Sequence, residues 1–394
     1  MPRSIPALVK PELLVWARAN AGFRLEDAAA KASVAAATLQ AWEQGHELPS
    51  ISQLRKLGEV YKRPIAVFFL PKPPHDFDAQ REFRRLPGVT PRNESPQLRL
   101  ALRLALFRRE AAKGLYERLG EPIPKLGAVA QPDENPEVAG KRIRQLLGVT
   151  WAQQLAWPSA HAALNAWRGA IEKLGILVFQ TGDVELEEMR GTSVPHGPLP
   201  VILLNNADSP HGRIFSLLHE FAHILLANGG HRTSAMEGRR LPEDQLLERA
   251  SNRIAAAALM PKEEFLEETD RHRNALIGDE TALRRLAACI KASPEAIFRR
   301  LLSLQKVSAG LYRKMRRAWQ RRTWFPSPAG EGGPPIEVRI VSSAGRAFVS
   351  LVLDGYRRNV VSSSDVSDYL GVQLKYLDRV EKELVPGPGD AVFA

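Results

Sequence analysis

The sequence predicts an α+β fold that is mostly helical, and two observations carry that prediction. Apolar residues recur at helical spacing along most of the 394 residues. Three short runs have the composition of strands instead, at residues 176–180, 189–194 and 201–204. Segments rich in proline and glycine break the helical pattern at residues 71–74, 120–136 and 326–335. With the chain length, these breaks predict several domains around a small sheet.

The composition gives room for a sizeable core and a basic surface. Apolar residues make up 44% of the chain, but no run of eighteen could span a membrane, and residues 1–6 contain no apolar signal segment. The single cysteine, Cys289, cannot form an internal disulfide, so we expect a reducing, cytoplasmic setting. The net charge of +11 favours an acidic partner, nucleic acid first, although many basic proteins bind none.

Residues 217–226 are the most informative stretch, a continuous apolar helix pattern that contains His-Glu-x-x-His. Because residues four apart share one helix face, His219 and His223 can point at a single metal ion. Glu220 lies one step round the helix, within reach of a water on that metal. The pattern suits zinc-assisted peptide hydrolysis. Two half-buried histidines with an unrelated glutamate between them are the simpler alternative.

A catalytic zinc needs a third protein ligand, and the next predicted helix, residues 243–260, offers one. Glu248, 25 residues after His223, is the favoured ligand. Glu243 is the fallback, although an acidic residue near a helix start also complements the helix dipole. Asn252, one turn after Glu248, could hold the distal nitrogen of a ligand histidine. Taken alone, Glu248 would be a solvated helix carboxylate.

Together these motifs resemble the ImmA/IrrE family of metallopeptidases. The matching positions are residues 199–205, residues 216–223, Glu248, Asn252, Ala255 and residues 259–261. The resemblance covers roughly residues 167–304 and implies a thermolysin-like zinc core.

The resemblance also implies roles for single residues. His219, His223 and Glu248 would be the zinc ligands and Glu220 the general base, while manganese or iron could take the place of zinc. Residues 199–205 would form an edge strand that pairs with the extended substrate. Family members cleave regulators, either the repressor of a mobile element or a stress-response repressor, so a protein substrate is the expected partner.

The oxyanion that forms during hydrolysis needs a donor besides the metal, and three histidines are candidates. His231 ranks ahead of His196 and His211, because it follows the metal helix by one glycine-rich turn. Each of the three is more simply explained as a surface-loop histidine.

Residues 9–70 predict a compact unit of five helices, at residues 11–19, 25–31, 35–44, 51–60 and 65–70. The turn at residues 32–34 has helix-turn-helix spacing. The pattern at residues 25–29, Val34, Leu39, residues 42–43 and Gly45 resembles the Cro/phage-repressor, or XRE, type of helix-turn-helix. A purely structural five-helix bundle is the alternative.

The surface of this unit is poorly suited to sequence readout. The presumed recognition helix begins with three alanines, so base contacts would fall to Thr38, Gln40 and Gln44. Phosphate contact would fall first to Lys31, with Arg24, Arg55 and Lys56 as further candidates. We therefore expect either weak DNA binding or a module used for protein docking, and a homodimer is compatible with both.

The remaining segments predict further helical modules. Residues 95–119 suit one long helix, and residues 281–304 resemble the winged-helix-like unit that follows the protease core in the family. Residues 311–322 are strongly basic, either as a solvated helix face or as a contact for nucleic acid or an acidic partner. In a small separate tail, residues 337–341 predict a strand, and helices are predicted at residues 346–356, 362–369 and 373–383.

The predicted organisation begins with a helix-turn-helix domain (residues 1–70) and a helical linker region (71–165). The peptidase core follows (166–310), then a basic helix with its linker (311–335) and a C-terminal interaction domain (336–394).

Two functions from different classes fit this organisation. In the favoured one, the chain is a zinc endopeptidase that controls transcription or a toxin by cleaving one regulator, a repressor or toxin encoded nearby. In the alternative, it is a non-proteolytic antitoxin or transcriptional regulator that binds a toxin and DNA, and its metal site is structural or vestigial. The intact His-Glu-x-x-His favours the first, because a binding protein has no need of Glu220.

Overall fold

The structure is a computed structural model that describes residues 6–73, 95–230, 242–273, 279–319 and 333–384. The chain divides into two compact units, Met1–Leu104 and Ala105–Ala394. Among the described residues, no helix is both long and apolar enough to cross a membrane. The mostly helical α+β fold that the sequence predicts is confirmed.

The first unit begins with the predicted helical bundle. Its elements are α1 (Pro11–Ala21), α2 (Leu25–Ala32), α3 (Ala36–Gln44), α4 (Ile51–Tyr61) and a 3₁₀ helix (Ile65–Phe69). Ser33 adopts a left-handed conformation that ends α2 and sets the turn into α3, where the sequence predicts it. Arg18 on α1 donates two hydrogen bonds to Glu43 on α3, at 2.7 and 2.8 Å, which fixes α3 against the bundle.

A long helix, α5 (Pro96–Leu119), follows and agrees with the predicted one. The helices of the second unit before the sheet are α6 (Pro136–Leu147), α7 (Trp151–Ala156) and α8 (Ala160–Glu172). After the sheet come α9 (Pro210–Asn228), α10 (Pro242–Leu259), α11 (Lys262–Arg271), α12 (Glu280–Ile290), α13 (Pro294–Ser303) and α14 (Ala309–Trp319). The last helices are α15 (Ile336–Ala344), α16 (Arg346–Arg357), α17 (Ser363–Leu370) and α18 (Leu377–Leu384).

The described sheet has three strands in the order β1-β3-β2. They are β1 (Leu177–Thr181), β2 (Gly191–Val194) and β3 (Val201–Asn205); β3 runs parallel to β1 and antiparallel to β2. The prediction that residues 199–205 form an edge strand is therefore wrong. All five residues of β3 are buried, and both sides of its backbone are paired, as a continuous apolar run favours. The strand that lies beside α9 at the edge is β2.

Helix α9 packs against this sheet and against α8 and α10, and α10 packs in turn on α6. The contact between α6 and α10 depends on Gly140. A Cβ atom at Gly140 would lie 2.7 Å from backbone atoms of Ala257 and Ala258. Glycine at this position lets the two helix backbones approach closely, and so it sets the position of α10.

The predicted strand at residues 337–341 is wrong, because these residues belong to helix α15. The buried side chains of α15, Ile340, Val341 and Ala344, recur at helical spacing, and this packing outweighs the strand preference of the β-branched residues. Helix α15 packs against β1, and the ring of Phe348 on α16 meets that of Phe179 edge-on at 5.8 Å.

Polar contacts join the end of α15 to the sheet. Arg168 Nη1 donates to the Ser342 carbonyl at 2.7 Å, and Gln180 Nε2 donates to the same carbonyl at 2.9 Å. A Cβ atom at Gly345, whose φ is +84°, would lie 2.7 Å from Glu172 Oε1. The tail, which the sequence predicts as a separate domain from residue 336, lies in the same compact unit as the sheet. Arg168 on α8 and Gln180 on β1 bind the Ser342 carbonyl at the end of α15, a group that the helix itself leaves without a partner.

We predict that Gly140→Ala lowers the free energy of unfolding by about 1–3 kcal/mol, because its methyl group has no space against α10. Gly114→Ala on α5 is the matched control. Its new methyl would meet only the end of the Arg118 side chain, at 4.0 Å, and removal of a helical glycine should stabilise by up to about 1 kcal/mol. Urea unfolding of both variants measures this. Equal effects of the two substitutions would contradict the close packing at Gly140.

Candidate metal centre

The predicted histidine motif lies in the middle of α9. Ser209 caps this helix by accepting a hydrogen bond from the Gly212 amide, and Pro210 occupies its first turn. The apolar face of α9 is fully buried, so the helix and its histidines are fixed by core packing. His219 is mostly buried, with its ring stacked beside Phe215, and His223 is buried deeper.

The structure brings Glu248 on α10 to the two histidines of α9. Ring nitrogen Nε2 of His219 lies 3.6 Å from Glu248 Oε2, and Nε2 of His223 lies 3.4 Å from Glu248 Oε1. One ligand atom from each residue lies within 4.8 Å of the other two. The first two candidates come from one helix turn and the third from the neighbouring helix, as the sequence predicts.

The chemistry of this donor set fits a divalent metal such as zinc. Two imidazole nitrogens lie 3.1 Å apart and face a carboxylate, which gives three of the four positions of a tetrahedral site. Imidazole and carboxylate are also ligands that zinc accepts in catalytic sites, where the fourth position belongs to water or substrate.

Glu220 contacts strand β2. Its Oε2 accepts a hydrogen bond of 2.7 Å from the Ser193 hydroxyl, and both side chains are buried. Close packing brings the strand there, because a Cβ atom at Gly191 would lie only 3.4 Å from Glu220 Cγ. Sequence reasoning missed Ser193. The signal for it was a small polar residue inside the strand predicted at residues 189–194, since a polar side chain that a sheet buries needs a hydrogen-bond partner.

Asn252 Nδ2 donates to the Glu248 carbonyl, one turn earlier on the same helix, at 2.7 Å. This bond uses the amide nitrogen, whereas a ligand histidine would donate to the amide oxygen. The contact of Asn252 with a ligand histidine therefore stays a prediction. The fallback ligand Glu243 and the oxyanion candidate His231 lie outside the described side chains.

The other two oxyanion candidates have different surroundings. His196 lies in the loop between β2 and β3, as predicted. His211 was interpreted as a surface-loop residue, and this is wrong, since it is buried in the first turn of α9. The helix begins at Pro210, before the predicted start, so His211 faces the core.

Burial and nearby charges shift the pKa values of the histidines on α9. Burial lowers the pKa of His219. Burial also acts to lower the pKa of His223, but its hydrogen bond with Glu248 and the charge of Glu220 outweigh that effect and raise it. Burial, with a smaller contribution from Lys291, lowers the pKa of His211 to about 4.

The predicted DNA-contacting residues lie on α2 and α3. Lys31 is exposed at the end of α2, with its Nζ 6.0 Å from the centre of the Phe23 ring. Gln40 and Gln44 are exposed on α3, and Thr38 is half-buried. Their role in DNA contact stays a prediction.

Comparison with known proteins gives two matches. Residues 171–302 match the family model of the IrrE N-terminal-like domain, a peptidase family, and residues 14–68 match a helix-turn-helix model. No curated protein matches the chain. The resemblance to the ImmA/IrrE metallopeptidases with an N-terminal helix-turn-helix domain is therefore confirmed.

We predict that His211 makes the protein less stable as the pH falls from about 6.5 to about 4. In this window the unfolded state binds a proton that the folded state excludes, whereas above pH 6.5 His211 is neutral in both. The loss should reach at most about 3 kcal/mol at pH 4. Urea unfolding of the native protein and of His211→Gln across this range measures it. A stability difference between the two that does not vary with pH would contradict the prediction.

Proposed function

We propose that this chain, which joins a helix-turn-helix domain to an IrrE-type metallopeptidase domain, is a zinc-dependent endopeptidase that cleaves one specific regulatory protein. The observation that carries the proposal is the meeting of His219, His223 and Glu248 within 4.8 Å, beside a glutamate that is not one of them. A site that only stored metal would need the three ligands alone. Hydrolysis needs a general base in addition, and Glu220 is the residue that could serve as one.

His219, His223 and Glu248 would hold the metal. When bound, zinc would act as a Lewis acid that lowers the pKa of a water molecule towards neutrality and polarises the scissile carbonyl. The same donor set also accepts manganese or iron, so the ion that is bound depends on which metals are available in the cell as well as on affinity.

Glu220 would act as the general base. Its Oε2 is occupied by the Ser193 hydroxyl, which fixes the plane of the carboxylate and leaves Oε1 to take a proton from the attacking water. After attack, the same carboxylate can deliver that proton to the leaving amine, so that no other acid is needed for the second step. The nearly complete burial of Glu220 restricts bulk water around this transfer.

Strand β2 would bind the substrate. Its one edge pairs with β3, and its other edge has no strand partner among the described residues, so an extended peptide could add there by backbone hydrogen bonds. Because Ser193 on β2 contacts Glu220, a peptide paired with β2 would lie beside the base. This replaces the sequence-based assignment of the substrate edge to residues 199–205.

The regulatory target follows from the domain combination. A helix-turn-helix domain in the same chain as a peptidase domain favours substrates that act on DNA or that control such proteins, namely a repressor or a toxin encoded nearby. The main alternative is a non-proteolytic antitoxin or transcriptional regulator. Helix α3, whose sequence is AATLQAWEQ, contains no cation, so by itself it offers little attraction to DNA phosphates.

We predict that Glu220→Gln slows cleavage of the target at least about 100-fold, because glutamine keeps the shape of the side chain but cannot accept the proton. The test incubates proteins encoded beside this gene with the native chain and with the variant, each loaded with zinc. Zinc content should be equal in both. Cleavage by the native chain alone supports the proposal, whereas binding of a neighbour by both without cleavage supports the antitoxin alternative.

We predict that Ser193→Ala lowers kcat about tenfold and leaves KM little changed, because it frees the base to rotate without altering the substrate edge. Thr192→Val is the matched control, since the Thr192 hydroxyl is buried with no hydrogen-bond partner among the described residues. Ser193→Thr should restore part of the rate. An unchanged kcat in Ser193→Ala would contradict the positioning role.

A further inference from the structure

We propose that the outer face of α14 binds the phosphate backbone of duplex DNA without regard to sequence. This phosphate-binding face consists of Arg313, Lys314 and Arg317, with Gly310 before them and Ala318 after them on the helix. It lies outside the metal centre and outside the helix-turn-helix domain, and the proposed peptidase activity makes no use of it.

The inner face of α14 holds the helix in place. Tyr312 and Trp319 are buried against α13, and the rings of Trp319 and Phe298 meet edge-on at 5.4 Å. Arg299 of α13 donates to the Tyr312 hydroxyl at 3.4 Å. The helix is therefore anchored along its length, and the side chains of its outer face project from a fixed frame.

The cations of the outer face converge. Residues 313, 314 and 317 lie within one helix turn of one another, so their side chains share one side of α14. They line a shallow depression of about 500 Å³ together with Gly310 and Ala318. The two small residues lie at either end of the face and add no bulk there, so a phosphate group could approach the cations that lie between them.

These charges have no stabilising partner among the residues that the structure describes. Arg313 and Arg317 are like charges four residues apart, a spacing that destabilises a helix by about 0.2–0.5 kcal/mol. Helix α14 contains no acidic residue, and within the described ranges Arg313, Lys314 and Arg317 form no ion pair, whereas Arg316 lies 3.6 Å from Glu295. The helix dipole favours cations in the last turn, but Arg313 and Lys314 lie in the middle of the helix.

Three features favour duplex DNA over other acidic partners. First, a helix-turn-helix domain is present in the same chain. Second, α14 turns its aromatic side chains inwards, so it offers no stacking platform for the bases of a single strand. Third, the face has no apolar anchor of the kind that dominates protein interfaces.

Such a face would supply what α3 lacks. Helix α3 carries exposed glutamines but no cation, so it can contact bases while contributing little attraction to phosphates. Phosphate contacts provide most of non-specific affinity and make it fall with salt. We therefore expect the three cations of α14 to raise the affinity for any duplex and to leave sequence preference unchanged.

The test measures binding of the full-length protein to a mixed-sequence duplex of about 24 base pairs by fluorescence anisotropy at several salt concentrations. The variant carries Arg313→Gln, Lys314→Gln and Arg317→Gln. Its slope of log affinity against log salt should be shallower by about 2.7, at about 0.9 per lost phosphate contact. Its affinity at low salt should fall at least about tenfold, and its thermal stability should be equal or higher.

The matched control removes the same charge elsewhere, by Lys125→Gln, Lys141→Gln and Lys173→Gln, all exposed residues of the second unit. It should keep the native slope. An equal loss in the control, an unchanged slope in the α14 variant, or no duplex binding by the native protein would overturn the proposal. Labelled poly-glutamate is measured in parallel. If the α14 variant loses only poly-glutamate binding, the face serves an acidic protein and the proposal fails.

Discussion

Two helix packings hold the candidate metal ligands together: the Nε2 atoms of His219 and His223 on α9 lie 3.1 Å apart, and the Glu248 carboxylate on α10 lies close to both. The position of each side chain depends on how its helix is fixed. Helix α9 is fixed by its buried face, and α10 is fixed by the close approach of α6 at Gly140. The fold thus brings together three side chains that could hold one divalent metal ion.

Contacts with α9 also fix the position of the sheet. Strand β2 has to lie close enough to α9 for Ser193 to reach Glu220, and Gly191 permits that approach. On the opposite edge of the sheet, Gln180 on β1 accepts a hydrogen bond of 2.6 Å from Arg213 on α9 and donates to Ser342 at the end of α15. The C-terminal helices are therefore joined through one buried amide to the helix that carries the histidines.

Local sequence patterns predict the helices, the strands and the three candidate ligands, because each depends on spacing within one or two elements. What they miss depends on contacts between distant elements. The central position of β3 depends on how the three strands pair, and the helix at residues 337–341 depends on packing against the sheet. Ser193 matters to the site only because β2 lies against α9, where its hydroxyl reaches Glu220. Spacing along the sequence could not reveal that contact.

Zinc titration of the metal-free protein by calorimetry tests the metal centre without any substrate. We expect one zinc ion per chain, with binding weakened at least about tenfold by Glu248→Ala and abolished by His219→Ala with His223→Ala. Glu220→Gln should bind zinc as the native protein does. Absence of zinc binding by the native protein, or binding that survives removal of both histidines, would show that these residues do not form a zinc site.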